Sequence, residues 1–403
     1  MLDLKGKHVV LGITGGIAAY KSAELCRQLQ AQGATVQVVM TDAASHFITP
    51  TTMQALSGRP VYTSQWDPRQ GNAMPHINLT RDADALIVAP ASADFIAQLA
   101  AGRSNELLAL LCLARPVNQC ALMVAPAMNR EMWLHPATQR NILQIVQDGA
   151  VLMGPEAGEQ ACGEVGSGRM LQSEQIVEAV IGHFQPKVFA GRKVLVTAGP
   201  TFEPIDPVRG ITNHSSGKMG FALARAAAQA GASVTLVAGP VSLPTPAGVT
   251  RLDVQTAQQM FDTVMACLTQ RQPRTDVFIA TAAVADWRPA EFSEEKIKKE
   301  ASRALPAVNW VENPDILATV AALPERPYCV GFAAESHDLL SHAQKKRQRK
   351  NIPLIVGNIG PATFGKDDNA LLLIDKNGSQ EIPRADKLTL ARLLVAEIAR
   401  RLQ

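Results

Sequence analysis

Residues 161–170 combine one thiol, one guanidinium and three glycines in the order ACGEVGSGRM. Glycines let such a loop bend closely around itself or around a ligand. The guanidinium of Arg169 suits a carboxylate or a phosphate, and the thiol of Cys162 could act as an acid or a nucleophile. A surface turn with a buried thiol has the same composition, so other motifs must decide between the two interpretations.

Two further peptides carry polar groups that could act with this loop. His76 lies alone in the peptide MPHI, where an imidazole could hold or release a proton near neutral pH. Asn129 ends the peptide PAMN and offers amide donors to a carboxylate. Each has a structural alternative: His76 as a hydrogen-bonded histidine at a helix start, and Asn129 as the cap of a helix over 130–134.

A glycine pair near the N-terminus indicates a phosphate site. Gly15 and Gly16 follow an apolar run and precede a helical pattern, so their amides could approach a phosphate at the helix N-terminus. A dinucleotide site would need three spaced glycines and an acidic residue where Thr41 ends the second strand. A mononucleotide such as FMN therefore fits better, with a structural tight turn as the alternative.

The second half of the chain contains polar motifs of a different kind. Residues 213–220 read NHSSGKMG, which lacks the glycine-to-lysine spacing of a P-loop. Cations follow in KIKK at 296–299 and in KKRQRK at 345–350, where Lys346 and Lys350 share a helix face. Such cations suit phosphates, while a solvated helix face is the plainer explanation of a charge run.

Two similar openings position these motifs. Residues 8–14 and 193–197 are apolar runs, and each precedes a loop, a helical pattern and a second apolar run. Such strand–loop–helix–strand units build parallel sheets, so we expect two α/β domains joined near residues 183–192. Further strands are expected at 84–89, 121–126 and 150–153 in the first domain, and at 277–280, 329–333, 354–358 and 371–375 in the second.

Length and composition bound the class of protein. The 403 residues suffice for two or three domains, and 47% hydrophobic with 19% charged residues is typical of a globular protein. No apolar stretch is long enough to span a bilayer, and residues 1–7 lack the features of a secretory signal, so we expect a cytoplasmic location. Six scattered cysteines predict neither disulfides nor a zinc site, and a net charge of +3 does not predict nucleic-acid binding.

The motifs of the first half occur in one order: the glycine motif GGIAAYK, the lone histidine, PAMN and the ten-residue loop. Together they resemble the flavin-dependent phosphopantothenoylcysteine decarboxylase family. The motifs of the second half, with AAVAD at 282–286, resemble phosphopantothenate–cysteine ligase. The resemblance spans the whole chain and matches the bacterial fusion of two coenzyme A biosynthesis enzymes. It implies two Rossmann-like α/β domains with mostly parallel sheets, a flavoprotein domain over 1–188 and a ligase domain over 189–403.

For the first domain, the resemblance implies decarboxylation of 4′-phosphopantothenoylcysteine with FMN. In the family the thiol side is first oxidised, CO₂ is lost, and the enethiolate is then reduced, so there is no net redox change. The resemblance implies that His76 is the base, that Asn129 holds the substrate carboxylate and that Cys162 protonates the enethiolate; Pro75 departs from an expected glycine. The residues implied to contact FMN are Gly15, Gly16, Ile17, Ala18, Thr41 and Ser92, and those implied to contact substrate are Asn129, Ala161, Cys162, Arg169 and Met170.

For the second domain, the resemblance implies ligation of L-cysteine to 4′-phosphopantothenate with CTP and magnesium, through an acyl-cytidylate. Asn213 and Lys218 are implied to lie near phosphopantothenate and the acyl intermediate, and Lys296 to stabilise the charge that develops there. Trp287 replaces an expected tyrosine, and no compact group of carboxylates identifies magnesium ligands. Family members bind flavin and substrate at subunit interfaces, which implies a homo-oligomer. The residues implied to bind CTP are Asp286, Lys296, Pro314, Asp315, Ile316, Leu317, Phe332, Lys346 and Lys350.

Two other functions compete with this interpretation. An NAD(P)-dependent dehydrogenase would also have two α/β domains, but the missing dinucleotide fingerprint counts against it. A flavin storage or sensor protein would need neither the loop at 161–170 nor the lysines of the second half. A flavin spectrum would argue against the dehydrogenase, and CTP-dependent release of pyrophosphate would argue against the sensor.

Overall fold

Two large sheets organise the chain, one in each of the units Met1–Phe184 and Gln185–Gln403. The computed structural model describes residues 2–67, 69, 74–160, 163–269, 274–297, 308–335, 338–359 and 366–402. Both sheets are mostly parallel and are covered by helices, which confirms the expected fold of two α/β domains.

The sheet of the first unit has five parallel strands. They are β1 (His8–Ile13), β2 (Thr35–Met40), β3 (Ala85–Ala91), β4 (Ala121–Pro126) and β5 (Val151–Leu152), in the spatial order β2-β1-β3-β4-β5. An antiparallel hairpin follows, formed by β6 (Glu156–Glu159) and β7 (Val165–Arg169). We call it the β6–β7 hairpin.

Helices cover both faces of this sheet. They are α1 (Lys21–Ala31), α2 (Pro50–Ser57), α3 (Pro75–Arg81), α4 (Ala93–Ala100), α5 (Leu107–Ala114), α6 (Arg130–Leu134), α7 (Pro136–Gln147) and α8 (Ser173–Phe184). Successive residues of β1 pack on opposite faces: Val9 lies in the core beneath α1 and α8, and Val10 in the core beneath α4 and α5. Burial on both faces explains why the strands are continuous apolar runs rather than alternating ones.

The large sheet of the second unit has eight strands. They are β8 (Lys193–Ala198), β11 (Ser233–Ala238), β12 (Val249–Asp253), β13 (Val277–Ala280), β16 (Tyr328–Glu335), β17 (Leu354–Ile359), β18 (Asp368–Asp375) and β19 (Gly378–Asp386). Two small antiparallel pairs lie between them in sequence, β9 (Phe202–Pro204) with β10 (Gly210–Thr212), and β14 (Trp287–Pro289) with β15 (Trp310–Glu312). The spatial order is β12-β11-β8-β13-β16-β17-β18-β19, and β18 and β19 run antiparallel to their neighbours.

The helices of the second unit pack on the two faces of this sheet. They are α9 (Lys218–Gln229), α10 (Ala257–Thr269), α11 (Ile316–Ala321), α12 (Leu339–Arg349) and α13 (Lys387–Arg401). Residues of α9 and α13 share one core with the sheet, and residues of α10, α11 and α12 share the other.

Strand β19 was not among the strands predicted from the sequence. Its side chains are almost all exposed, and among its residues only Ile382 is buried. A polar strand at the edge of a sheet has no apolar run, so hydrophobic patterning cannot find it.

Candidate active sites

The order of the first sheet reverses between β1 and β3, and ligands of open α/β sheets bind outside the strand ends at such a reversal. The order 2-1-3-4-5 is that of flavodoxin-like folds, and flavodoxin itself binds FMN at this point. Gly15 and Gly16 follow β1, and Ser92 follows β3. The structure therefore brings three of the residues predicted to contact FMN to the adjacent strand ends at this reversal.

Thr14, which was not among the predicted site residues, joins the two loops at these strand ends. Its hydroxyl donates to the Pro90 carbonyl at 2.9 Å and accepts from the Ser92 amide at 2.9 Å. The side chain of Ser92 caps α4 by accepting from the Phe95 amide at 3.2 Å. These contacts fix the relative position of the two strand ends that a ligand would touch.

Replacing Thr14 by valine tests this connection. Thr14 is 1% exposed, so valine fills the same space but removes both hydrogen bonds of the hydroxyl. We expect the free energy of unfolding of the first unit to fall by about 1–3 kcal/mol, the usual cost of an unsatisfied buried group. Calorimetry checks this, with Thr35→Val as the control because the hydroxyl of Thr35 bonds His8 at an exposed position. An equal loss in both variants would show that Thr14 has no special role.

Close packing requires a glycine at position 15, whereas the space around Gly16 would accept a side chain. A Cβ at Gly15 would lie 2.6 Å from the Cβ of Ala43, whereas a Cβ at Gly16 would meet nothing within 4 Å. Thr41 is buried, and its hydroxyl accepts from the Ala44 amide at 3.2 Å. Ile17 is exposed on the turn that follows the glycines, and Ala18 is half-buried beside it.

Asn129 is a helix cap, as the structural alternative predicted. Only the amide oxygen makes the cap, and the amide nitrogen has a different partner. Its Oδ1 accepts from the Met132 amide at 2.9 Å at the start of α6. Its Nδ2 donates to the Glu164 carboxylate at 3.3 Å. Because the cap uses only the oxygen, capping and binding of an anion through the nitrogen are compatible roles.

The β6–β7 hairpin is tied to the loops around it. The Met128 amide donates to the Gly168 carbonyl at 3.0 Å, and the Arg130 amide donates to Oε1 of Gln160 at 2.9 Å. At its base, Nζ of Lys21 donates to the Met170 carbonyl at 3.2 Å. Burial, together with the nearby charge of Arg169, lowers the pKa of Lys21. The hairpin thus connects the start of α1 with the loop that carries Asn129.

The remaining predicted residues of this half are less closely placed. Met170 is buried and Arg169 is half-buried at the end of β7. His76 is half-buried in the first turn of α3, and the described contacts do not join it to the glycine loop or to Asn129. Pro75 is the first residue of that helix, a position that proline favours, so the departure from glycine is compatible with the helix. Ala161 and Cys162 lie outside the described residues.

The sheet of the second unit also reverses, between β8 and β13, in the strand order 3-2-1-4-5-6 that is common among nucleotide-binding folds. A pocket of about 780 Å³ lies at this point. Eight of the residues predicted to bind CTP line it: Asp286, Pro314, Asp315, Ile316, Leu317, Phe332, Lys346 and Lys350.

Cations of α12 form one wall of this pocket. Nζ of Lys346 donates to the Phe332 carbonyl at 3.1 Å, and Nζ of Lys350 lies 2.8 Å from Oδ1 of Asp315. Burial raises the pKa of Asp315, but the hydrogen bonds from Lys350 and the Ala318 amide, together with the charges of Lys350 and Arg349, outweigh burial and hold the pKa below the usual value. Three other residues of this helix line the pocket but were not among the residues predicted to bind CTP: His342, Lys345 and Arg349. Their helical spacing from Lys346 and Lys350 was the available signal.

Three predicted residues lie outside the lining of this pocket. Nδ2 of Asn213 donates at 3.0 Å to the carbonyl of Ala283, between two lining residues. Nζ of Lys218 lies 2.6 Å from Oδ1 of Asp367. Lys296 is exposed, and the next residue, Ile297, is held by its amide to Asp206 at 3.2 Å.

The described residues bear on three other kinds of site. They contain no group of three histidine, cysteine, aspartate or glutamate side chains that could hold a metal ion. Within those same residues, no helix has both the length and the apolar character needed to cross a membrane. Of the five cysteines that fall in the described ranges, none forms a disulfide, and all are buried.

Two family models match the chain. The model described as Flavoprotein matches residues 2–185, and the model described as DNA/pantothenate metabolism flavoprotein C-terminal domain matches residues 189–402. Each match follows one of the two units of the fold.

Curated relatives match nearly the whole chain. The Coenzyme A biosynthesis bifunctional protein CoaBC of Vibrio cholerae serotype O1 is 53% identical over 395 residues, which are 97% of this chain and 97% of the relative. The protein of that name from Escherichia coli K12 is 49% identical over 406 residues, which are 99% and 98% of the two chains. A crystal structure of the C-terminal domain of a CoaBC protein is 36% identical and covers 54% of this chain and 98% of its own, with a TM-score of 0.45. The resemblance predicted from the motifs is confirmed: the chain belongs to the family of bifunctional coenzyme A biosynthesis enzymes, in which a flavoprotein decarboxylase is joined to a ligase.

Proposed function

We propose that the chain makes 4′-phosphopantetheine in two steps. It first ligates L-cysteine to 4′-phosphopantothenate with CTP and magnesium, and it then decarboxylates 4′-phosphopantothenoylcysteine with FMN. The observation that carries the proposal concerns where the motif residues lie. In each unit, motif residues of one of the two activities lie at the point where the strand order of that unit's sheet reverses. Ligands bind at such reversals in open α/β sheets.

The pocket of the second unit supports the ligation step. A carboxylate must be activated before an amine can attack it, and transfer of a cytidylyl group requires cations beside the phosphates. Lys345, Lys346, Arg349 and Lys350 supply four such cations along one wall. Magnesium would arrive with the CTP phosphates, since the described residues hold no metal-binding cluster of their own.

Three residues beside the pocket are proposed to act on the acyl group. Asn213 approaches it through its bond to Ala283, and Lys218 begins α9. We assign both to phosphopantothenate and the acyl-cytidylate. Lys296 is assigned to the charge that develops in that step, and its exposed ammonium can reach a substrate without first losing a buried partner.

The first unit supports the flavin step. The open space beside Gly16 and the buried hydroxyl of Thr41 lie at the reversal, where a flavin phosphate could meet backbone amides. FMN, when bound, would supply the electron sink that decarboxylation of an amide-linked cysteine needs. Asn129 would hold the substrate carboxylate through Nδ2, His76 would take the proton of the oxidation step, and Cys162 would protonate the enethiolate.

Product analysis tests both steps together. The purified full chain, supplied with 4′-phosphopantothenate, cysteine, CTP, magnesium and FMN, is expected to release pyrophosphate, CMP and CO₂ and to form 4′-phosphopantetheine. Omission of CTP should stop the sequence before 4′-phosphopantothenoylcysteine. Removal of FMN should stop it at that compound. Formation of 4′-phosphopantetheine when CTP is omitted, or when FMN is removed, would refute the proposal.

The glycine pair gives a sharper test of the flavin site. Gly16→Ala adds a methyl group to open space at an extended backbone position, so it should leave the thermal stability of the flavin-free protein unchanged. The methyl group would occupy space that FMN needs, and we expect flavin affinity to fall about tenfold to a hundredfold, the usual cost of overpacking. Fluorescence titration measures this loss.

Gly15→Ala is the matched comparison. Its methyl group would collide with Ala43, so it should lower both the stability of the flavin-free protein and its flavin affinity. If Gly16→Ala also lowered the stability while binding flavin normally, the open space would not belong to the flavin site.

We further propose that the protein is a homo-oligomer with its flavin site at a subunit interface. Ile17 and Tyr20, on the turn after the glycine pair, are 64% and 62% exposed. Large apolar side chains beside a ligand loop are typical of a surface that a second subunit covers.

A further inference from the structure

The amide of Asn129 already donates to a carboxylate that belongs to the protein. Its oxygen is committed to the cap of α6, at 2.9 Å from the Met132 amide, so its NH₂ end must face the β6–β7 hairpin. There Nδ2 lies 3.3 Å from Oε2 of Glu164. Both side chains are half-buried, which strengthens a hydrogen bond to a charged acceptor relative to one in water.

The position of Glu164 is fixed by backbone contacts of the hairpin. The Gln160 amide donates to the Glu164 carbonyl at 2.8 Å, and the Gln160 side chain accepts from the Arg130 amide at 2.9 Å. Gly168 has a φ of +141°, and a Cβ at this position would collide with the Met128 carbonyl. The hairpin and the Asn129 loop are therefore in close contact, and this contact places the Glu164 carboxylate beside the Asn129 side-chain amide.

We propose that Glu164 is a specificity-determining residue whose carboxylate occupies the anion position of Asn129 whenever no substrate carboxylate is there. This inference rests on the proposed decarboxylation. The substrate 4′-phosphopantothenoylcysteine carries a carboxylate, so it must displace Glu164 to reach Nδ2. After the thiol side has been oxidised, the C–C bond to that carboxylate breaks, its electron pair stays on the substrate as the enethiolate, and the group departs as neutral CO₂. Nδ2 then loses its anion and Glu164 returns.

The exchange treats substrate and product differently. Binding of the carboxylated substrate costs the hydrogen bond between Asn129 and Glu164, whereas 4′-phosphopantetheine binds with that bond intact. Return of Glu164 also keeps the hairpin against the Asn129 loop after CO₂ has left. Glu164 thus weakens the binding of carboxylated ligands only.

The test compares substrate and product affinity in the flavin-loaded full chain. For Glu164→Ala, we expect KM for 4′-phosphopantothenoylcysteine to fall about threefold to tenfold, a fraction of the worth of a charged hydrogen bond. The inhibition constant of 4′-phosphopantetheine should stay unchanged. Glu164→Gln keeps a neutral acceptor of the same shape, so its KM for 4′-phosphopantothenoylcysteine should lie between those of Glu164→Ala and the unmodified protein. Glu159→Ala, at an exposed position of the same hairpin, should change neither constant.

A double-mutant cycle identifies the partner. Asn129→Ser keeps a side-chain cap for α6 but has no amide donor, so adding Glu164→Ala to it should leave KM at the value of the Asn129→Ser single variant. The proposal fails if Glu164→Ala leaves KM unchanged, if it shifts KM and the product constant equally, or if its effect persists beside Asn129→Ser. An unmodified protein that forms no 4′-phosphopantetheine would instead refute the proposed function.

Discussion

Asn129→Asp is expected to lower kcat/KM for decarboxylation of 4′-phosphopantothenoylcysteine at least about a hundredfold. Aspartate caps a helix as well as asparagine does, so α6 should remain intact. The substitution replaces the Nδ2 donor with an oxygen acceptor, next to the Glu164 carboxylate and where the substrate carboxylate is proposed to bind. A hydrogen bond to a charged group is worth about 1.5–3 kcal/mol, and like-charge repulsion adds to its loss. Steady-state kinetics with the supplied substrate measures the effect.

Asn129→Ser separates the lost donor from the added charge. Serine also caps α6 but brings no charge. Its loss should be about tenfold and smaller than that of aspartate, because the lost bond to substrate is partly offset by the bond to Glu164 that substrate no longer displaces. CTP-dependent pyrophosphate release by the second unit should be normal in both variants. If aspartate were as active as asparagine, Asn129 would be a helix cap only.

Lys346→Met is expected to lower CTP-dependent ligation by about a hundredfold or more. Lys346 lines the 780 Å³ pocket, and its bond to the Phe332 carbonyl fixes the ammonium there. A preorganised positive charge of this kind stabilises developing negative charge far better than a mobile one, and the loss of one such donor typically costs on the order of 10²–10³ in rate. Pyrophosphate release at saturating CTP measures the effect.

Lys376→Met is the matched control, because Lys376 is exposed in the turn between β18 and β19 of the same unit. It should ligate normally, and both variants should decarboxylate supplied 4′-phosphopantothenoylcysteine at the normal rate. Equal, mild losses of ligation in Lys346→Met and Lys376→Met would show that Lys346 belongs to a solvated helix face.

The sequence predicted the fold where local signals were strong. Strands β4 and β13 span the residues predicted for them. Strands that are buried on both faces are continuous apolar runs, so they can be found in a sequence without knowledge of the neighbouring strands. The predicted helix at 130–134 and its cap, Asn129, are also confirmed, since the cap and the helix it serves are adjacent in sequence.

Contacts between distant residues escaped the sequence analysis. Thr14 meets Ser92 across 78 positions, and Asn129 meets Glu164 across 35, with no periodicity that connects them. Such pairs depend on strand order and on where a hairpin folds back, which a single sequence does not encode in local patterns. For the same reason, the helix cap and the anion donor were alternative predictions for Asn129, whereas the two ends of its amide can serve both roles.

The polar strand β19 has a consequence for how the protein behaves at high concentration. It ends the eight-stranded sheet, and the outer edge of a sheet is a template onto which a strand of another chain can add. Pro383 has no amide hydrogen to offer there, Glu381 and Arg384 place charges along the edge, and the register with β18 is interrupted between Asn369 and Leu371. The strand that hydrophobic patterning overlooked is therefore a barrier to edge-to-edge aggregation on that side of the second unit.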